Sequence, residues 1–378
     1  MRRLLILMYA LIFVDEMALL SLVPLVPSYR DALHLSGFES GVLLSAASLA
    51  IVAGSIPGGL AGDRLGSRRV TLAAGCLLSA SCLAQGLAPE LWTLLAARLA
   101  FGLASAVIWS AGLSWLSDST GDRPGALGAV MAIAGAGGMV GPAFAGVLAD
   151  RVSRGAPFLV LAVLAGVLVV ALSLADRGAE RRHEHHPLRT VLGLARRDTL
   201  IAGAVIMMLL GGFSDGVVNL VGPAQLSDAG RSSAWIGVVL SVAAGLFILC
   251  AAVTARAGRT AVTLALGAVC TALSAAVLGP VLASGSVAVV ASMLLLRSPL
   301  LGAMYAICFP LGVDGARRVG VGAGSINGLL GFAWGGASFV GAVVAGSFVE
   351  TAGAKAVYGV LGASCIAATA TLVSLRRR

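Results

Sequence analysis

Apolar residues run along this chain in long unbroken stretches, near 4–27, 38–61, 70–88, 91–116, 125–149, 156–175, 199–223, 235–255, 260–283, 287–312, 320–349 and 354–375. Each stretch is long enough to cross the roughly 30 Å hydrocarbon core of a bilayer as a helix. Transmembrane barrels instead show segments of about ten residues of alternating character, so the pattern predicts an all-α integral membrane protein with twelve transmembrane helices. One interruption is long and polar, "RGAERRHEHHPLRTVLGLARRD" at 177–198. It divides the chain into a six-helix bundle over 1–176, a linker over 177–198 and a second six-helix bundle over 199–378.

Composition agrees, with 58% hydrophobic and 11% charged residues and a mean hydropathy of +0.98, far from a soluble globular chain. If the N-terminus is cytoplasmic, 19 of the 26 basic residues lie on the inner side and 5 on the outer. The positive-inside rule therefore puts both termini in the cytoplasm. The same arginines explain a pI near 10.0 without any nucleic-acid partner. The first stretch reads as a retained helix and not a cleaved leader, because its apolar part is long and carries two acids. The six cysteines all fall in predicted helices and suggest packing, not a disulfide framework. His183, His185 and His186 lie in the linker, where a solvated segment is a simpler reading than a metal site. Arginine far outnumbers the single lysine, Lys355, as in a GC-rich bacterial genome, which suggests a bacterial inner membrane.

Asp15 and Glu16 change the picture. An acid at the centre of a spanning helix costs about 2.5–3.5 kcal/mol, and each Leu, Ile, Val or Phe returns about 0.3–0.6 kcal/mol. The fourteen such residues between Leu4 and Val26 roughly cancel the pair. The helix can insert, but the acids need a reason other than stability.

The two halves repeat. "FVDEM" in the first stretch matches "FSDGV" in the seventh, with Phe213 and Asp215 standing 200 residues beyond Phe13 and Asp15. "GLAGDRLGSRR" after the second is echoed by "AAVTARAGR" after the eighth. "GGMVGPAFAG" in the fifth is matched to "GFAWGGASFVG" in the eleventh, setting Gly331 and Gly335 194 residues beyond Gly137 and Gly141. A parallel duplication of this kind places a substrate near the midplane, between the halves.

"GLAGDRLGSRR" resembles the G-x-x-x-D-[RK]-x-G-[RK]-[RK] signature of the major facilitator superfamily, with Ser67 where a basic residue is usual. "ARLAFGLASA" is similar to that family's R-x-x-x-G-x-x-x-A element, and "GGMVGPAFAG" to its antiporter element G-x-x-x-G-P-x-x-G-G. "VDEMALLSLVPLVPSY" resembles the first helix of twelve-helix drug/proton antiporters and vesicular amine transporters, which carry an acid at the position of Asp15. The resemblance implies a major facilitator fold of two pseudo-symmetric bundles and export coupled to proton entry.

Residue by residue, the resemblance implies that Gly59, Asp63, Arg64, Gly66 and Arg68 form a cytoplasmic latch with Asp118 as partner; a loop that merely obeys positive-inside is the alternative. It gives Arg98 a proton-relay or acid-tuning role, against snorkelling to the outer headgroups. Ser105 and Trp109 share the Arg98 face by i+7 and i+11 spacing. Gly137, Gly141, Pro142 and Gly146 offer a small-residue face to a partner helix expected from the other half, with Pro142 permitting a kink. Asp215 and Asn219 suit a polar stripe facing the substrate, or a structural hydrogen bond between helices. Asn327, Trp334 and Ser338 share a face that suits an aromatic wall for a cation, or an ordinary helix contact.

The combined reading is a proton-coupled antiporter, not an enzyme, driven by the proton gradient with no cofactor and no metal. Its partners are a cationic or lipophilic small molecule, protons and the lipid bilayer, and a monomer is expected. The alternatives are proton-coupled transport of a sugar, amino acid or other metabolite, and a non-transporting receptor or scaffold. Adjacent helical residues point about 100° apart, so Asp15 and Glu16 cannot act alike. The repeat assigns the main cation contact to Asp15 and leaves the proton to Glu16.

Overall fold

The computed structural model describes residues 2–120, 124–175, 198–258, 263–320 and 323–377. Among them there is no strand. Helix one, Arg2–Ser21, passes through a tight 3₁₀ turn at Val23–Leu25 into a short helix, Val26–Leu33. The break falls at Pro24, which has no N–H to continue the ladder. Helices two to six are Gly37–Leu65, Ser67–Leu87, Leu91–Val107, Pro124–Arg151 and Ala156–Ser173. Helix four continues through a π-helical turn, Ile108–Gly112, to Leu113–Thr120. Helices seven to ten are Thr199–Asp228, Ser233–Arg256, Leu264–Ala283 and Val287–Arg318.

Among the described residues, eleven helical segments are long and apolar enough to span a membrane. The last, Ala323–Arg377, is two helices joined at Gly353, where φ is 78° and ψ 164°. A left-handed φ costs glycine little and other residues more. Helices eleven (323–352) and twelve (354–377) are therefore separate, and the expected twelve spans are all represented. Most of the linker lies outside the described residues. Its last residue, Asp198, caps helix seven by accepting from the N–H groups of Leu200 (2.8 Å) and Ile201 (3.1 Å).

The chain forms two compact units. One consists of Met1–Leu35, Leu43–His183 and Arg231–Ser241, and the other of Ser36–Val42, Glu184–Gly230 and Val242–Arg378. In the first, buried side chains of helices one, three, four and six, among them Met8, Leu11, Leu78, Phe101, Trp115 and Leu161, make one core. In the second, Met207, Met304, Ile307, Leu330 and Leu372 join helices seven, ten, eleven and twelve.

Glycine lets backbones approach inside each unit. A Cβ on Gly137 would strike the Phe13 carbonyl, and one on Gly141 the Met17 carbonyl at 2.6 Å. At Gly137 and Gly141 the small-residue face of helix five therefore meets helix one, where a helix of the 199–378 half was expected. Only further along, at Pro142 and Gly146, does helix five meet the first turns of helix eight, at Gly237 and Ser233. In the second unit the residue against the Phe213 carbonyl is Gly341. The sequence match of Gly137 to Gly331 is thus ten residues out of register, and a Cβ on Gly331 would meet nothing within 4 Å. The 200-residue period holds elsewhere: Gly102 abuts the Ala47 carbonyl and Gly302 the Phe247 carbonyl.

Candidate functional site

Helix one presents two faces. Met8, Leu11, Ile12, Asp15, Ala18 and Leu22 are buried in their unit, while Tyr9, Phe13, Glu16 and Leu20 form a half-exposed stripe at i, i+4, i+7 and i+11. The adjacent acids are thereby separated. Asp15 is fully enclosed. Its Oδ2 accepts from the Ser105 hydroxyl at 2.9 Å and from the Trp109 indole N–H at 3.0 Å, and its Oδ1 is buried without a hydrogen-bond partner. Glu16 is half-buried beside helix five, its Cβ 3.2 Å from where a Cβ on Gly137 would stand.

Ser105 and Trp109 are one turn apart on helix four, and Trp109 lies in the π-helical turn. The extra residue in such a turn re-aims side chains. Beside this turn, Gly58 and Gly62 let helix two approach Val107 and Ala111.

Arg98 is buried but does not touch Asp15. Its guanidinium donates to the carbonyls of Ala18 (3.3 Å) and Leu19 (2.8 Å) and to Oε1 of Gln85 (3.5 Å), and it lies 4.9 Å from the Phe101 ring centre. Helix one ends at Ser21, so these carbonyls belong to its last turn, which has no intrahelical donors to spare. A cation there is favoured by the helix dipole.

The second unit repeats the arrangement with different partners. Asp215 Oδ2 accepts from the Tyr305 hydroxyl (2.9 Å) and the Trp334 indole (3.2 Å), and Oδ1 pairs with Arg297 at 3.1 Å. Arg297 also donates from Nε to the Ser214 hydroxyl at 2.8 Å. Gly211 makes room for Tyr305, whose hydroxyl would be 2.6 Å from a Cβ there. Tyr305 stands 200 residues beyond Ser105, and both reach the aspartate of their unit. Asn219 is half-buried one turn along helix seven.

Among the remaining expected positions, Gly66 adopts a left-handed φ of 95° at the start of helix three. Arg68 donates to the Ser173 carbonyl at the end of helix six (2.7 Å), and Arg64 is exposed. Gly59 is half-buried. The side chains of Asp63, Asp118 and Asn327 lie outside the described residues, as do His183, His185 and His186. Trp334 joins Asp215, so the helix-eleven aromatic belongs to the aspartate cluster. Sequence reasoning missed Tyr305 and the pairing of Arg297; the 200-residue period carried from Ser105 points to the first.

Comparison with known proteins bears on what this arrangement serves. A family model described as Major Facilitator Superfamily matches residues 5–336. The chain is 28% identical over 178 residues to Multidrug resistance protein 2 of Bacillus subtilis (strain 168), covering 46% of this chain and 44% of that one. It is 28% identical over 215 residues to Probable vesicular acetylcholine transporter-B of Danio rerio, covering 53% and 43%. The matched region thus spans about half the length of these relatives. The fold is also that of the nucleoside transporter NupG, with a TM-score of 0.79 at 13% identity over 98% of this chain and 99% of that one. A bacterial homologue of the lysosomal transporter Spinster gives 0.74 at 16% over 98% and 94%. At such identities the likeness concerns the fold alone.

Proposed function

Because the chain belongs to the Major Facilitator Superfamily, we propose that it is a proton-coupled antiporter that exports lipophilic or cationic small molecules by alternating access. The observation that carries this reading is Asp15, a fully buried carboxylate held by two neutral donors and, among the described residues, in no ion pair. A charge so placed is expensive unless it is exchanged for a proton or met by a cation. The names of two relatives, one for multidrug resistance and one for acetylcholine transport, support the same substrate class.

The two acids divide the work in the reverse of the order the sequence repeat suggests. Asp15 is enclosed, with Oδ2 committed to Ser105 and Trp109, and only a proton is small enough to reach it without repacking the unit. Glu16 stands on the half-exposed stripe with Tyr9 and Phe13, where a bulky cation can meet both a carboxylate and aromatic rings. Trp109 positions Asp15, and Arg98 fixes the end of helix one that carries both acids. The turn around Gly59, Asp63, Arg64, Gly66 and Arg68 acts with Asp118 as a latch that forms and breaks in each cycle. Asp63→Asn therefore leaves insertion intact and slows turnover.

Proteoliposomes carrying the full chain, with an imposed pH gradient, are expected to move a monovalent cationic dye against the flow of protons. Inert proteoliposomes containing folded protein would overturn the reading.

A further inference from the structure

We propose that Arg297 is a tethered counter-cation that keeps Asp215 electrically silent, so that the acids of helix one alone exchange charge with the solution. This deepens the proposed antiport by naming which of two equivalent aspartates takes part.

The internal repeat supplies the comparison. Asp15 and Asp215 occupy matching places 200 residues apart, and each has Oδ2 held by one hydroxyl and one indole N–H. They differ at the other oxygen. Oδ1 of Asp15 has no partner, whereas Oδ1 of Asp215 is 3.1 Å from the Arg297 guanidinium. The buried arginine of the first unit, Arg98, one residue off the 200-residue period, bonds instead to the carbonyls of Ala18 and Leu19 and to Gln85, with no hydrogen bond to Asp15. One unit spends its buried arginine on a helix end, and the other on the acid.

Arg297 is well placed to stay put. It is itself buried, with a side-chain exposure of 5%, and its Nε is anchored to Ser214, the neighbour of the acid it pairs with. A guanidinium leaving that site would strand a charge on both partners in a poorly hydrated interior. The position matching Glu16 in the second unit is Gly216, so no second acid accompanies Asp215. Both oxygens of its one carboxylate are bonded and its charge is met by Arg297, although 22% of the side chain is exposed, so the pairing and not burial is what keeps this cluster neutral.

The consequence is a limit on stoichiometry and on substrate charge. Freed of Arg297, Asp215 becomes a second intramembrane carboxylate, half-buried with 22% of its side chain exposed, that is open to a proton or a cation. Arg297 thereby selects for carriage of a single charge.

Infrared difference spectroscopy of the purified full chain between acid and alkaline pH reads this without any transport. In Arg297→Gln an additional protonated-carboxyl band is expected, absent from Arg297→Lys and lost again in the double variant Asp215→Asn, Arg297→Gln. An Arg297→Gln spectrum identical to the wild type would overturn the proposal. So would loss of a titrating carboxyl band from the wild-type spectrum on introducing Asp215→Asn alone, a measurement that holds even where Arg297→Gln does not fold. In proteoliposomes with tetraphenylphosphonium, Arg297→Gln is expected to move one more proton per cation than the wild type, and an unchanged ratio counts against the proposal. A wild type that moves no tetraphenylphosphonium, with the expected spectra, instead indicts the cation-export reading and spares the silent pair.

Discussion

Arg98 donates to the carbonyl of Leu19 at 2.8 Å, two residues before helix one ends. The buried arginine of helix four is thus a cap on another helix, placed where Pro24 stops the backbone ladder. Arg98→Ala leaves the Ala18 and Leu19 carbonyls buried without this donor. Orphaned buried polar groups cost about 1–3 kcal/mol each, so a loss of roughly 2–4 kcal/mol is expected. Thermal unfolding in detergent measures it, with Arg98→Lys intermediate because an ammonium keeps the charge and loses the planar fork. A proton-relay role alone would leave the unfolding midpoint unchanged.

The register of helix eleven gives a sharper test. Gly341 lies against the Phe213 carbonyl as Gly137 lies against that of Phe13, while Gly331 faces open space. Gly341→Ala forces helices seven and eleven apart and is expected to destabilise the protein by about 1–3 kcal/mol, the usual range for overpacking. Gly331→Ala adds a methyl to space with no neighbour within 4 Å and is expected to be neutral. Equal effects in the two variants would refute the 204-residue spacing between Gly137 and Gly341.

That register shows what the sequence makes legible. Unbroken apolar runs mark the spans to within a few residues, because crossing a bilayer sets both length and character. Asp15 and Asp215 stand out since acids are costly there and few. Glycine carries little information in a chain with 50 of them, so a Gly-x-x-x-Gly match ten residues out of place looks as good as the true one. The partners of the two arginines were hidden for another reason. Arg98 and Arg297 both lie among apolar residues, and only the packing decides that one meets carbonyls and the other an aspartate.

Topology is open to a labelling experiment. The arginine distribution predicts that residues 177–198 face the cytoplasm and 28–37 the outside. Six free cysteines, of which Cys76 is exposed, would add background, so a cysteine-free parent is needed. Single cysteines at Ser28 and Arg189 are expected to react with an impermeant maleimide from opposite sides. Labelling of both from one side would overturn the orientation.

The division of labour between Asp15 and Glu16 can be read from two substitutions. Asp15 sits behind Ser105 and Trp109 with one oxygen unpartnered, and Glu16 stands one residue on, half-exposed. If the enclosed acid carries the proton, Asp15→Asn removes the group that exchanges it and leaves the substrate contact in place. Transport by this variant is expected to lose its dependence on the pH gradient while cation binding persists. Glu16→Gln removes charge from the exposed stripe and keeps its shape. Apparent affinity for a monovalent cation is expected to fall about tenfold, equivalent to roughly 1.4 kcal/mol, with the remaining transport still driven by the gradient. Trp109→Phe supplies a check, because it deletes one of the two donors on Oδ2 without touching either acid. It is expected to shift the pH profile of transport in the same sense as Asp15→Asn, though less far, and to leave cation affinity near the wild-type value. Loss of cation binding in Asp15→Asn together with loss of gradient dependence in Glu16→Gln would restore the opposite assignment. Undiminished proton-driven cation export by the double variant Asp15→Asn, Glu16→Gln would remove both acids from the mechanism.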